Sequence, residues 1–499
     1  MHLGLGTVYS LAIFLILLYG FNKYYITCLF LRRFRKEKEK NAQFLEKFWE
    51  TTLETSLPAV TTQLPIYNEK YVAERLLEAV VGMDYPKELH EIQVLDGSTD
   101  ETSDIVARVV EKYRREDYNI KHITRDNHHG FKAGALEEGL HQAEGEFIAI
   151  FDADFLPERH FLKKTIPFLY EDRQTAFVQT RWTYTNANYS FLTRVESIAH
   201  DGQFVIEQGA KCWNGLYMGF NGSAGVWRKE AIIDAGGWHA DTLTEDLDLA
   251  YRAQIRGWKP KFLYEVTTAS ELPIDVNAFK NQQYRWAKGT TQTARKLLPD
   301  IFRSKCSMAK KLEAFVHLTN FAVYPFLLVL AFISVPLSFN VHLQSHQPAM
   351  SVLAKVALVT GVIAPSFLFL VSQKIAYKDW QWRCIYIPAT LAIYAGITLS
   401  NTLAVIEGAF TKGGEFVRTP KYGIKERKTV IKKMEYAALP TNLAFTEILL
   451  GLYCSFGFVE YLWNDSQFHF GPFLFMCALG FFYVGGMAWP NPWRQDTKA

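Results

Sequence analysis

The chain has 499 residues and a formal net charge of +3, and 49% of its residues are hydrophobic and 15% aromatic. So small a net charge, with the basic residues gathered beside apolar segments rather than along a stripe, argues against a nucleic-acid partner. The six cysteines (28, 212, 306, 384, 454 and 477) are scattered and form no CxxC pair, so they suggest neither a zinc site nor a disulfide framework.

In chain order, residues 4–31 form an apolar run, GLGTVYSLAIFLILLYGFNKYYITCLFL, interrupted by Lys23 and long enough to cross a bilayer. RRFRKEKEK follows at once. A cleaved signal would be shorter, would carry its basic residues before the apolar stretch and would end in small residues. The pattern predicts a permanent anchor over 1–31 and a basic juxtamembrane linker over 32–54 that touches lipid headgroups. The N-terminus lies outside by the positive-inside rule.

Residues 55–300 read as a cytosolic α/β domain. The predicted order is strand AVTTQLPI from 59, helix 70–82, strand EIQVLD, helix 101–114, strand NIKHIT, helix 131–143 and strand EFIAIFDAD. That alternation predicts βαβ units and a parallel sheet. Ligands of such sheets bind beyond the carboxyl ends of the strands, where this chain carries YNE (67–69), LDGSTD (95–100) and FDAD (151–154).

Asp152 and Asp154 can bring carboxylate oxygens to one point, a hard-ligand pair suited to Mg2+ or Mn2+ and a diphosphate, although an Asp-rich turn closing a strand looks the same. Asp96, in Asp-Gly-Ser, has the same alternative. FNGSAGVWRKEAI (220–232) gathers small residues where backbone can approach a ligand. In TLTEDLDLAYRAQIRG (242–257), Thr244 is placed as an N-cap, and Glu245 and Asp246 either complement the helix dipole or offer a general base. NQQYRWAKGT sets Gln282, Arg285 and Trp286 three and four residues apart on one helix face. Such a face is either ordinary packing around a tryptophan or an amide, a guanidinium and an indole presented together.

Runs at 315–338, 352–372, 443–463 and 468–488 are each long enough to span a membrane. A further run, 384–406, carries Thr, Ser and Asn and is flanked on both sides by basic residues: Lys374, Lys378 and Arg383 before it, Lys412, Arg418, Lys421, Lys425, Arg427 and Lys428 after it. The connections 339–351 and 464–467 contain no Lys or Arg. Five crossings satisfy these charges, with 384–411 at the interface or re-entering; a sixth crossing is the alternative. The remaining divisions are then an interface segment with two crossings (301–372), an interfacial or re-entrant segment with a loop (373–437), and two crossings with a tail (438–499).

Taken in order, YNE, LDGSTD, GFKAGAL, DAD, FNGSAG, TED, QQYRW and EFVRTPKYG resemble the family 2 membrane glycosyltransferases of GT-A fold. Within that family the chain looks like the cellulose synthase-like glucomannan, mannan and xyloglucan-backbone synthases, over roughly residues 55–435. The resemblance implies that Tyr67, Glu69 and Asp96 hold the nucleoside of a sugar nucleotide with help from Lys132. It implies that Asp152 and Asp154 serve the metal and diphosphate, Asp154 foremost as ligand, and that Gln282 and Arg285 contact the diphosphate. Asp246 would be the base, with Trp286 and Glu245 on the acceptor side. EFVRTPKYG would be a gating loop bringing Phe416, Thr419 and Lys421 to the nucleotide, with Arg418 and Pro420 shifting its spacing.

The implied function is an inverting, processive β-glycosyltransferase that uses UDP-glucose or GDP-mannose and Mg2+ or Mn2+ to extend a polysaccharide. It would be a multi-pass protein of a bacterial plasma membrane or the Golgi. Tyr324, Tyr394, Asn401 and Tyr453 are candidates to line a path for the polymer, although interfacial tyrosines are common in any membrane protein. A ceramide glucosyltransferase-like enzyme adding one sugar to a lipid is the enzymatic alternative. A scaffold or transporter with an inactive transferase domain is the non-enzymatic one. Accessory or identical partner subunits are not specified by any of these motifs.

Overall fold

The structure, a computed structural model, describes residues 2–125, 128–338, 348–424, 436, 442–463 and 471–489. Most of the two uncharged connections, together with Lys425, Arg427 and Lys428, lies outside the described residues. Helix α1 runs unbroken from His2 to Thr51, so the basic stretch expected as a linker is helical. No Gly or Pro interrupts residues 21–51, and Arg, Lys, Glu and Leu there all favour helix. Phe30 stacks on Trp213 at 5.3 Å and Phe44 packs on Phe168 at 4.5 Å, which pins α1 along the α/β domain.

That domain begins β1 (Val60–Ile66), α2 (Ala73–Val81), β2 (His90–Asp96), α3 (Thr102–Arg114), β3 (Ile120–Thr124), α4 (Phe131–Gln142) and β4 (Phe147–Ile150). It continues β5 (Leu156–Pro157), α5 (Phe161–Glu171), β6 (Thr175–Tyr184), α6 (Phe191–Asp201), α7 (Gln208–Trp213), β7 (Gly225–Arg228), α8 (Lys229–Asp234), α9 (Glu245–Ile255), β8 (Lys259–Ser270) and α10 (Val276–Arg303). The sheet has eight strands in the order β3-β2-β1-β4-β7-β6-β8-β5. β1 to β4 follow the parallel expectation, and β6 and β8 also pair in parallel, but β7 runs antiparallel to both β4 and β6, so the sheet is mixed. The cause is where the chain re-enters. Before β7 it lies at the carboxyl ends of the parallel strands, with the Ala224 N–H donating to the Ile150 carbonyl at 2.9 Å, and from there it can only run backwards.

Alternate residues of β4 serve opposite faces: Phe147 and Ala149 join the core under α2, α3 and α5, while Ile148 and Ile150 join the core under α4, α7, α8 and α9. The second core also takes in Ile26 and Phe30 of α1 and Leu368 and Val371 of the helix Pro348–Ala376. Packing is therefore continuous from the sheet into the apolar helices.

Among the described residues three helices are long and apolar enough to cross a membrane, or up to five if each bent pair is one span. The run at 315–338 is divided between Met308–Leu318 and a helix from 320, bent by 54°. The run at 384–406 is also broken, Trp380–Gly396 and Thr398–Phe410 meeting at 50°. Its Thr398 and Asn401 are buried, so the polar residues that set this run apart face protein.

A fully buried ion pair joins α10 to this helical region. Lys280 and Glu447 have no exposed side-chain surface and meet at 2.7 Å. Removing either partner leaves an uncompensated buried charge, worth about 3–5 kcal/mol. Lys280→Ala therefore lowers stability by about that amount in thermal unfolding of the purified protein, and the paired replacement Lys280→Met with Glu447→Leu recovers most of it.

Candidate active site

β1 feeds crossovers to one side of the sheet and β4 lies on the other, so a crevice opens where their carboxyl ends part. It is a cleft of about 550 Å3. Tyr67 and Glu69 reach it because Asn68 takes a left-handed conformation (φ 55°), one that Asn tolerates. The turn is fixed by Asn68 N–H donating to Ser98 Oγ (2.9 Å) and Thr99 N–H donating to Asn68 Oδ1 (2.8 Å). The exposed Tyr67 ring lies edge-on to His128. Burial pushes the Glu69 carboxyl up to about 8, against the opposing pull of Arg418, which sits 3.2 Å away.

Asp96 lies beneath the cleft rather than in its wall, and Gly97 takes the wall position. Its oxygens accept from His122 Nε2 and from the Ser98 N–H, each at 2.8 Å. Burial raises its carboxyl, but these bonds prevail and hold it down to about 2. Asp96 thus shapes the turn around Tyr67 from below.

Asp152 and Asp154 emerge beyond β4, as their spacing suggested, but each already faces a cation. Lys132 bonds Asp152 and donates to the Gly222 carbonyl at 2.9 Å. Lys421 lies 2.9 Å from Asp154 Oδ2, which also accepts from the Glu271 N–H at 3.0 Å. Lys132 therefore stands among the carboxylates. The FNGSAG turn closes on the same point. Gly222 has φ +79°, and a Cβ there would lie 2.9 Å from Asp246 Oδ2 and 3.2 Å from Lys132 Nζ. Only glycine leaves that space to the two charged groups.

Asp246 lies in the first turn of α9, beside the buried Glu245 that opens it. Burial raises both carboxyls, Glu245 adds repulsion to Asp246, and Lys132 opposes; Asp246 is pushed up to about 7. One oxygen of Asp246 accepts from the Leu247 N–H at 2.8 Å. The Thr244 side chain does not cap α9 as the sequence pattern suggested. Its hydroxyl meets Thr293 of α10 at 3.1 Å, and the close approach of the two segments is made at Gly289.

α10 presents Gln282, Arg285 and Trp286 to the cleft. Gln282 Oε1 is buried without a partner, and the Arg285 guanidinium stacks 4.1 Å from the Phe416 ring. Phe416, Arg418, Thr419 and Lys421 all line the cleft, so the segment EFVRTPKYG lies across it. A second cavity, of about 460 Å3, begins where this one ends. Asp246, Trp286, Trp182, His200 and Asn221 belong to both walls, and the second cavity continues past Tyr324 and Tyr394 into the apolar helices. Glu245 lines only the first cavity. Of the other candidates for that path, Asn401 is buried outside the wall and Tyr453 donates to the Phe332 carbonyl at 2.7 Å.

Sequence reasoning missed Glu271, His200 and Asn221. Glu271 follows β8; its carboxylate accepts from the N–H groups of Tyr422 (2.8 Å) and Ile424 (3.0 Å) and pairs with Arg75, tying the 415–424 segment to the cleft. Nothing in "SELP" signals that role. His239, Asp241 and Asp248 offer atoms within 4.8 Å of one another, the spacing of a metal site. Lys296 stands among them, 2.8 Å from Asp241 and 3.0 Å from Asp248, so the cluster reads as an ion-pair brace below α9.

Residues 58–289 match the family described as "Glycosyltransferase like family 2". The chain is 32% identical over 465 residues to glucomannan 4-beta-mannosyltransferase 1 of Oryza sativa subsp. japonica, covering 86% of this chain and 82% of that protein. It is also 32% identical over 476 residues to glucomannan 4-beta-mannosyltransferase 7 of Arabidopsis thaliana, covering 92% and 82%. A mannosyltransferase from Pyrobaculum calidifontis, solved with GDP-Man and Mn2+, is 18% identical with a TM-score of 0.47 over 81% of this chain and 99% of that one. The family match and the rice and Arabidopsis relatives agree on one conclusion: the chain belongs to the family 2 glycosyltransferases, in the cellulose synthase-like group of the glucomannan 4-beta-mannosyltransferases, and is a β-glycosyltransferase that uses a nucleotide sugar.

Proposed function

We propose that this enzyme is processive, adding β-1,4-linked hexose to a polysaccharide that passes into its own helices. The names of its relatives favour a mannosyl donor, with GDP-mannose and UDP-glucose as the two arms of the test. The observation that carries the proposal is the shared wall. A base at Asp246 and an indole at Trp286 stand between a charged cleft, fit for a sugar nucleotide, and a cavity running into apolar helices, fit for a saccharide.

In this reading Asp246 takes the proton of the acceptor hydroxyl, whose oxygen attacks the anomeric carbon of the α-linked donor as the bond to the diphosphate breaks. Inversion gives a β-linked product, and the single base suffices because the diphosphate departs as an anion. Arg285 offers forked donors to that anion, Lys132 and Lys421 add charge, and Trp286 supports the apolar face of the acceptor ring. Tyr67 and Glu69 hold the nucleoside side of the cleft. Asp152 and Asp154 supply hard oxygens facing cationic charge, a donor set that fits Mg2+ or Mn2+. Bound at Asp154 and Asp152, the ion would help neutralise the leaving diphosphate.

The cytosolic face is the natural side for a cleft that consumes sugar nucleotides, with the helices of the C-terminal region in the membrane of the Golgi or of a bacterial cell. Membranes holding the enzyme, given a panel of labelled nucleotide sugars with Mg2+ or Mn2+, make long chains that β-1,4-specific hydrolases digest. A single sugar on lipid would overturn the reading.

Asp246→Asn lowers transfer by about 10^2–10^4-fold while nucleotide binding stays near wild type. Undiminished transfer in that variant removes Asp246 as base. Because the base works only when ionised, and its carboxyl is pushed up to about 7, kcat/KM rises with pH through the neighbourhood of 7 and levels above it. A profile flat from 5 to about 8 would contradict this.

A further inference from the structure

α10 is where the α/β domain meets the apolar helices, and two carboxylates from those helices take hold of it. Glu447 comes from Ala444–Trp463, a helix long and apolar enough to cross a membrane. The Lys280 ammonium lies 2.7 Å from one of its oxygens and donates to the other at 2.8 Å, with no exposed surface on either side chain. Glu407 comes from Thr398–Phe410, the second half of a bent pair. It accepts from the Tyr284 hydroxyl and from Lys288 Nζ, the latter at 2.7 Å. These contacts bracket Gln282, Arg285 and Trp286 along α10, yet none of Lys280, Tyr284, Lys288, Glu407 and Glu447 lines the cleft.

A buried ion pair is a poor stabiliser, because desolvating two charges offsets most of their attraction and apolar residues of similar volume serve as well or better. What apolar residues lack is direction. Val276 and Phe279 of α10 pack among Ala444, Val484 and Ala488, and burial of such surface specifies the axial position of a helix less sharply than a hydrogen bond does. An ammonium held between two carboxylate oxygens has short distances to satisfy, so a slip along the axis breaks it at once. Close packing adds a stop beside Glu407: a Cβ on Gly408 would lie 2.6 Å from the Lys288 carbonyl oxygen. A helix rises about 1.5 Å per residue, which sets Gln282 and Arg285 about 3 Å and about 7.5 Å along the axis from Lys280 and makes them move with it.

We propose that Glu447 and Glu407 are positioning residues for the transfer reaction. They fix the axial register of α10, and through it the Arg285 guanidinium and the Gln282 amide against the departing diphosphate. Neither carboxylate touches substrate. The inference rests on the reading of Arg285 and Gln282 as diphosphate contacts. Forked contacts to phosphate are short, and a displacement of about 1 Å costs up to about 100-fold in rate.

The test uses the purified full-length chain in detergent, with transfer rates, thermal unfolding and binding of GDP, GMP, UDP and UMP. Lys280→Met combined with Glu447→Leu replaces the ion pair by an apolar one. The expected result is a melting midpoint near wild type, kcat/KM lowered about tenfold, and a smaller preference for the nucleoside diphosphate over its monophosphate. The exchanged pair, Lys280→Glu with Glu447→Lys, restores the charges and recovers both; if it does not fold, the apolar pair decides. Glu407→Ala, at a partly exposed side chain, gives a smaller fall of the same kind with little change in melting. Wild-type kcat/KM in the apolar pair overturns the role of Glu447, and in Glu407→Ala that of Glu407. A rate loss that leaves the diphosphate preference intact overturns both. If Arg285→Ala in the otherwise wild-type chain does not reduce that preference, the diphosphate reading itself has failed, an outcome independent of the pair.

Discussion

The structure depends on keeping many carboxylates in one partly dry cleft. Glu69, Asp152, Asp154, Glu245 and Asp246 share it with Lys132, Arg285, Arg418 and Lys421. Buried charge is costly unless paired, and these four cations come from three separate stretches of chain: Lys132 from α4, Arg285 from α10, Arg418 and Lys421 from the segment after the broken helix pair. Neutrality of the cleft therefore requires the domain, the long helix α10 and the C-terminal region to be assembled together. The same pairing tunes the chemistry. Asp96, given donors from His122 and Ser98 and a place beneath the wall, is held firmly ionised, whereas Asp246, buried and crowded by Glu245, is lifted toward neutrality.

α10 is the element through which this assembly is made. Its cleft-facing residues are Gln282, Arg285 and Trp286. Its other faces hold Glu447 through Lys280, the loop before α9 through Gln292 and Lys296, and the end of the broken helix pair through Lys288 and Arg295. A change in the packing of the apolar helices would thus move Gln282, Arg285 and Trp286 in the cleft as one body. The segment 415–424 is held at its far end by Glu271, whose own backbone N–H touches Asp154, so the loop and the strand-end carboxylate share an anchor.

Much of the fold was legible because it follows from local rules. The first four strands and three helices could be read from hydrophobic period and turn residues, and the observed limits fall within a few residues of the expected ones. The antiparallel return of β7 was not legible, since direction of pairing depends on where the chain re-enters the sheet, and the side chains of β7 look the same either way. Nor was the helical continuation of α1 through 32–51 anticipated, because basic composition was given more weight than the absence of any breaker. For the site, the acidic motifs and QQYRW announced themselves by chemistry and order. Glu271, His200 and Asn221 did not, because a single Glu, His or Asn carries no signal until its neighbours are known.

The sequence by itself determined which groups are available: the carboxylates at strand ends, the cations, the indole and the apolar runs, since identity and short-range spacing are written directly in the chain. Only the tertiary structure decided which carboxylate is low and which is high, which lysine answers which aspartate, and that one wall serves both the cleft and the cavity behind it. Those outcomes depend on burial and on distances between segments hundreds of residues apart, such as Asp154 and Lys421. Electrostatic and solvation energies act through space, and no local pattern along the chain encodes them.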